Sequence, residues 1–343
     1  MKHSHQSGDR DFWVVGVDMG ASNLRLARAD LHGRLESVTA ERLQPEGGPE
    51  GVIAHIKAGI QRMGRERARR RRGKSARAAR SRASRLAAIA VGVPSAVDPR
   101  TDRVSFANNL PGWRNIDLGR ALEVEFHVPV VVDNDANLAA LGECWRGAAR
   151  RASSLVFIAL GTGIGAGIVI DGRIWHGRTG NAGEIYRMNL DWRRWADDHG
   201  DTGYLESRVA GLGIAAAGRR ALRARGRSRS QGLVEARDAQ FVFQAFQRGD
   251  RRARAVLERA FTILGVCVAD LVSVLDPDLV VLGGGLAKGA PAFLLETVER
   301  VLHRVHPDIA PPVRLSTLGD RAQVYGAILA ALSARPRQKG SGK

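Results

Sequence analysis

The stretch VPVVVDNDAN, residues 128–137, closes an apolar run with two aspartates and two asparagines. Asp133 and Asp135 stand two apart, on one face if the strand continues, and Asp135 is the better placed to open the helix pattern that follows. A carboxylate there suits a general base. Phosphoryl transfer needs a group to take the proton of an incoming hydroxyl and cations to spread the phosphate charge. The same position suits an Asp/Asn helix cap, and these residues alone do not decide between the two.

Three glycine-rich turns offer the other half of such chemistry. DMGASN (18–23) and GTGIGAG (161–167) each join two strand patterns, and GGGLAKG (283–289) lies between a buried strand and a helix. Glycine lets the backbone approach an anion and aim its N–H groups at phosphate oxygens, with Ser22, Asn23 and Thr162 as further donors. GTGIGAG is not a dinucleotide fingerprint, because strand rather than helix follows it. Each turn taken alone is also compatible with a hairpin that holds no ligand. Asp18, at the end of a hydrophobic strand, suits Mg²⁺ held through water, or a turn cap. GEIYRMNLDWRRWADDHGDTGYLES (183–207) places Glu184 and Glu206 on either side of a crowded loop. That loop reads equally as a metal site, a pocket wall or solvated surface.

The elements that must position these residues follow from periodicity. FWVVGVDMGASNLRLARADLHGRL reads as strand, glycine turn, strand, glycine turn, and SLVFIALGTGIGAGIVIDGRI repeats the plan. Helical patterns run through GVIAHIKAGIQRM, IDLGRALEVEF, NLAALGECWRGAA, QFVFQAFQRGDRRARAVLERAFTILGVCVADLVSVL, APAFLLETVERVLHRV and AQVYGAILAALSA. Short strands are expected in LAAIAVGV, DLVVLG and VRLSTL. The repeated hairpin predicts an α/β chain with duplicated lobes and a cleft between them.

Composition narrows the classes. The net charge of +18 invites a nucleic-acid reading, but 62–85 alone holds eleven arginines and one lysine against one acid, Glu66. Without interleaved aromatics, zinc-finger spacing or a helix-turn-helix pattern, that segment reads as a solvated insertion, helical or partly disordered. Loose contact with RNA or acidic partners is its other reading. Two cysteines, Cys144 and Cys267, cannot form a disulfide framework. No apolar run is long enough to span a membrane and no signal-peptide core is present, so a cytoplasmic location is expected.

DMGASN, GVPSAVD, NNLPGW, DNDAN, LGTGIGAG, AGE, GYLE and LGGGLAKG, in this order, resemble the ROK family of bacterial sugar kinases and repressors, within the actin-like ATPase superfamily. The resemblance runs from Phe12 to about Ala334. It implies two RNase-H-like lobes with ATP and a hexose in the cleft. On that plan 12–133 is the N-terminal lobe, carrying the insertion 62–85, and 134–318 the C-terminal lobe. The helix over 319–335 returns to the first lobe, and 1–11 and 336–343 are disordered. Asp135 then corresponds to the catalytic base. Asn109, Asn134, Asp135, Glu184 and Glu206 correspond to sugar ligands. Asp18, Gly20, Ala21, Ser22, Asn23, Gly161, Thr162, Gly163, Gly283 and Gly284 fall on the ATP side, with Asp18 on Mg²⁺ through water. Ala21 and Ser22 replace a Gly-Thr pair of many family kinases, and both are small enough to keep the turn.

The family's structural zinc is held by one His and three Cys; here Arg187, Asp197, His199 and Tyr204 stand at those positions. Arginine has no lone pair to give, so no structural zinc is expected. In its place, pairing of Arg187 with Asp197 and packing by Trp192, Trp195 and Tyr204 are expected. The resemblance implies a glucokinase-like hexose kinase, cytoplasmic and homodimeric. A sugar-responsive ROK regulator and a catalytically silent sugar-binding protein are the alternatives. Only about eleven residues precede the first strand, too few for a DNA-binding domain, so no specific DNA binding is expected.

Overall fold

The structure, a computed structural model, describes residues 11–72, 85–106, 110–222 and 238–335. In chain order its strands are β1 (Phe12–Met19), β2 (Asn23–Asp30), β3 (Leu35–Arg42), β4 (Arg85–Val93), β5 (Val104–Phe106), β6 (Arg114–Ile116) and β7 (Val130–Asn134). They continue with β8 (Leu155–Leu160), β9 (Ile164–Ile170), β10 (Arg173–Ile174), β11 (Leu279–Gly283) and β12 (Val313–Leu315). The helices are α1 (Gly48–Arg72), α2 (Leu118–Phe126), α3 (Asp135–Arg146), α4 (Glu206–Val209) and α5 (Gly211–Leu222). After them come α6 (Gln240–Gln247), α7 (Arg251–Leu275), α8 (Pro291–Val305) and α9 (Ala322–Ala334).

The chain forms two compact units. One comprises Met1–Trp145, His176–Asn181 and Asp320–Lys343; the other comprises Arg146–Trp175 and Ala182–Gly319. Each is built on a five-stranded sheet of one plan, in the order β3-β2-β1-β4-β7 and β10-β9-β8-β11-β12. In both, an antiparallel hairpin with a third strand precedes two strands added in parallel. The fold is α/β, with two RNase-H-like sheets. The third strand of each, β3 and β10, is absent from the sequence reading. β3 alternates half-buried and exposed positions along a polar sequence, LESVTAER, and so lacks an apolar run.

The two faces of the first sheet differ. Val15, Val17, Met19, Ile89 and Val91 pack on the large-residue face with α1 and α2. Val14, Ala27, Ala29, Ala88 and Ala90 face the other way, onto Leu138 of α3 and Val324, Ala327 and Ile328 of α9. Small residues on that face let both helices approach closely. The change of unit comes after Trp145, later than the boundary expected after Asp133, because α3 belongs to this packing. The 176–181 segment, expected in the second lobe, also belongs to the first unit.

The arginine-rich segment is not uniformly solvated. α1 continues into it, and Arg67 extends the buried stripe Val52, Ile56, Ile60, Met63 by one more turn. Only 6% exposed, Arg67 bonds Glu36 Oε1 at 3.0 Å and the carbonyl of Asp11 at 3.3 Å. Arg28, 2% exposed, donates to the same Glu36 at 2.9 Å and to the Met63 carbonyl. Asp11, expected in a disordered end, is thus held in place. The other end positions, 1–10 and 336–343, lie outside the described residues, as does 73–84 of the insertion.

A methyl group at Gly326 of α9 would sit 1.7 Å from the Leu138 carbonyl oxygen of α3. Gly326→Ala should therefore lower the unfolding free energy by about 1–3 kcal/mol in urea denaturation. Gly51→Ala, in α1 with open space around it, should leave it unchanged or raise it by about 0.5 kcal/mol.

Candidate active site

Parallel register brings distant acids into one row. Asp18 of β1 pairs with Gly92 of β4, and Gly92 pairs with Asp133 of β7. Asp18 is buried, and Arg25 Nη1 donates to its Oδ2 at 3.0 Å. Burial raises the pKa of Asp18, Arg25 opposes this, and Asp320 adds to it. The turn beyond Asp18 is closed by Gly20 N donating to the Asn23 carbonyl at 2.9 Å. Ser22 and Asn23 are exposed there.

At the β7–α3 junction the two aspartates have separate environments. Asp133, 5% exposed, accepts at Oδ1 from Asn134 N (2.7 Å) and Asn137 Nδ2 (2.9 Å), and at Oδ2 from His176 Nε2 (2.8 Å). Asn134 caps α3: its Oδ1 accepts from Ala136 N at 2.8 Å and Asn137 N at 3.3 Å, while Nδ2 donates to the Ser95 carbonyl at 3.2 Å. The cap is therefore Asn134, which leaves Asp135 as the carboxylate of the first helical turn. Expected as a sugar ligand, Asn134 has its carboxamide engaged at both ends. Asn109 lies outside the described residues.

In the second unit the turn Gly161–Gly163 and the start of the GGG segment adjoin. Gly284 has φ +91° and lies so close to Leu160 that a Cβ would meet its carbonyl oxygen at 2.2 Å. Gly283 pairs with Ala159 in the parallel β8–β11 register. Glu206, opening α4, accepts from Ile164 N at 3.0 Å, and a Cβ on Gly163 would fall 2.6 Å from its Oε2. Glu206 and Glu184 both bind protons more tightly than ordinary glutamates. Burial is the main cause in each; Arg187 opposes the shift in Glu184 and neighbouring Glu206 adds to it.

Beside the glycine turn lies a cavity of about 630 Å³. Gly161, Thr162, Gly211 and Gly285 form its polar backbone, and Leu212, Phe243 and Leu286 its apolar walls. Gln240, Gln244 and Gln247 of α6 also line it. The sequence reading had α6 as helix but did not assign it or Leu212 to the site, although glutamines at i, i+4 and i+7 opposite Phe241, Val242 and Ala245 were a legible polar stripe. Its size and mixed lining fit a nucleotide-sized ligand.

The loop with the four altered positions differs from expectation. Arg187 is exposed, and its Nε donates to the Tyr186 hydroxyl at 2.6 Å. Asp197 is instead taken by Arg194 at 2.6 Å, three residues away in a turn initiated by Asp191. A local i,i+3 partner needs no distant ordering, so the expected Arg187–Asp197 pair does not form. Trp192 and Trp195 are 75% and 80% exposed rather than packed. Tyr204 is buried, with the His199 ring edge-on at 5.3 Å. Among the described residues no group of three or more His, Cys, Asp or Glu could hold a metal ion, and no helix is long and apolar enough to cross a membrane.

The sequence profile of the ROK family matches residues 73–334. A glucokinase of Halalkalibacterium halodurans is 31% identical over 92% of this chain and 94% of its own. The chain belongs to the ROK family. Both ROK enzymes and regulators resemble it. A ROK glucokinase from Streptomyces griseus, solved with glucose and AMPPNP, superposes with a TM-score of 0.72 at 26% identity, covering 94% of this chain and 99% of that one. A putative xylose repressor of Caldicellulosiruptor is 32% identical over 72% of this chain, which spans 63% of the repressor's length.

Glu184 is half-buried and binds its proton more tightly folded than unfolded, so it opposes folding as pH rises above the ordinary glutamate value of about 4.3. That opposition is complete above its raised folded pKa. Glu184→Gln should accordingly raise the Tm near pH 8 and leave it nearly unchanged at about pH 3, where both states carry the proton. Equal shifts at both pH values in thermal scans would contradict this.

Proposed function

We propose that this ROK protein is an ATP-dependent sugar kinase that phosphorylates a hydroxyl of a hexose, with Asp135 as general base. The observation that carries the reading is the division of labour at the β7–α3 junction. Asp133 is held by three donors inside the junction and Asn134 supplies the cap, while Asp135 puts its carboxylate on the first turn of α3, where this reading gives it the proton transfer. The glucokinase relative, 31% identical along nearly the whole chain, supports the choice of reaction.

In this reading the sugar hydroxyl gives its proton to Asp135 as its oxygen forms a bond to the γ-phosphorus, and the bond to the β-phosphate oxygen breaks with ADP as leaving group. Glu184 and Glu206 accept hydrogen bonds from other sugar hydroxyls, and their half-buried setting makes such acceptors strong. The 161–163 and 283–284 turns take the phosphate side, with the Gly161 N–H itself closing its turn on the Gly163 carbonyl, while Leu212, Phe243 and Leu286, which line the cavity, enclose the base. Because Glu206 holds the Ile164 amide, sugar and nucleotide contacts share one rigid turn. Asp18 is the residue that would hold Mg²⁺, through water; burial raises its proton affinity and Arg25 opposes the rise. Bound there, the ion would neutralise phosphate charge.

The repressor relative gives the second reading, a sugar-responsive regulator. A coupled assay of ADP release separates the two on glucose, mannose, fructose, N-acetylglucosamine and N-acetylmannosamine. Turnover on at least one sugar is expected, with kcat reduced about 10²–10⁴-fold in Asp135→Asn and KM for ATP little changed. No turnover on any sugar would sink the kinase reading, and an active Asp135→Asn would sink the role of Asp135.

A further inference from the structure

The His176–Asn181 segment belongs to the first unit although the chain on both sides of it belongs to the second. It is fastened at two points. His176 Nε2 donates to Asp133 Oδ2 at 2.8 Å. Gly180, with φ +78°, lies so close to Val97 that a Cβ would be 1.8 Å from its carbonyl oxygen. Two residues before Val97, the Ser95 carbonyl accepts from Asn134 Nδ2. The segment, the 95–97 turn and the start of α3 thus form one cluster around Asp133, joined by hydrogen bonds at His176 and Asn134 and by close packing at Gly180.

Asp133 links the two sides of this cluster. One carboxylate oxygen receives His176, and the other receives Asn134 N and Asn137 Nδ2, which flank Asp135 in sequence. A buried carboxylate with three donors has its plane fixed by them. If the ring is removed, Asp133 loses one of its three donors and can rotate, and the amides it orients at the head of α3 move with it; loss of the ring's charge alone weakens the same hold. None of the groups proposed above to touch sugar or phosphate includes His176.

We propose that His176 is a positioning residue of the phosphoryl-transfer site, an imidazolium clamp on Asp133 that sets the geometry of Asp135 at the head of α3. The carboxylates that bear on His176 are Asp133 on β7 and Asp102 in the turn before β5; Arg178 of its own segment is exposed. The Asp133 hydrogen bond raises the His176 pKa most, burial opposes it, and the charges of Asp133 and Asp102 add to the rise. The clamp is therefore fully charged below the ordinary histidine value and weakens to a neutral N–H donor as pH climbs through the raised one.

The kinetic arm of the test rests on the kinase reading, and the spectroscopic arm does not. In the full-length protein, ¹H–¹⁵N spectra should show His176 titrating above the ordinary histidine value of about 6.5. The backbone amides of Asn134, Asp135 and Ala136 should shift with the same midpoint. In Asp133→Asn the His176 midpoint should fall. In sugar-phosphorylation assays, His176→Ala should lose about tenfold or more in kcat, as a misplaced base does, with KM for ATP unchanged. His176→Gln retains a neutral donor, so it should recover most of that rate and lack the decline of wild-type kcat at rising pH. An ordinary His176 midpoint, or amides that ignore it, overturns the proposal even if no sugar is ever phosphorylated. Wild-type kcat and pH profile in His176→Ala overturn it in an active enzyme. An inactive wild type with coupled titrations would instead count against the kinase reading alone.

Discussion

The parallel register of β1, β4 and β7 is the constraint on which the acidic end of the first sheet depends. It sets Asp18, Gly92 and Asp133 in one row, although they are far apart in the chain. A glycine between two acids leaves room for what packs above it: a Cβ at Gly92 would already be 3.0 Å from Leu138 Cδ1 and 3.7 Å from the Asp135 Cα. α3 can lie this close only because the face beneath it is alanine and glycine, and because Gly142 and Gly326 remove the side chains where α3 meets α9. The placement of Asp135 is thus inherited from core packing, through a helix whose height above the sheet is fixed by missing methyl groups.

The second unit reaches a similar result with electrostatics. Its parallel strands β8 and β11 end side by side, and the glycine turns beyond them bring backbone amides together. Glu206 then fastens one turn from below, at the expense of placing a carboxylate where burial disfavours its charge. Glu184 nearby suffers the same penalty and adds mutual repulsion. Two acids whose proton affinity burial raises, in a half-buried setting beside a glycine turn, are a poor choice for stability. In the proposed kinase they are acceptors for hydroxyl donors, which would offset the cost of burying their charge.

How much of this was legible in the sequence divides along the range of the interactions. Hairpins, the β7–α3 junction and the glycine turns are local, and DNDAN and GTGIGAG announced them through apolar runs ended by turn residues. β3 was missed because this half-exposed edge strand carries polar residues on both faces and has no apolar run to detect. His176 was missed because its meaning lies in Asp133, a partner 43 residues earlier in the chain. The Arg187–Asp197 pair failed for the opposite reason. It was a long-range inference placed where a turn offered Arg194 as a nearer partner.

The basic character of the chain is subject to the same reasoning. A run of arginines counted from sequence reads as one solvated block, yet the helix that carries its first half turns individual residues inward and outward every three or four positions. Arg62 pairs with Glu41, and Arg67 joins Arg28 on Glu36 beneath the helix. Arg28 also lies over the Trp13 ring at 6.0 Å, tying β1, β2, β3 and α1 through one guanidinium. These cations are committed to carboxylates, carbonyls and an aromatic face, and are not available to a polyanion. Formal net charge therefore overstates the electrostatic footprint that α1 presents. A buried arginine replaced by a neutral residue would leave Glu36 with unmet charge, so part of the basicity is there for folding, independent of any partner.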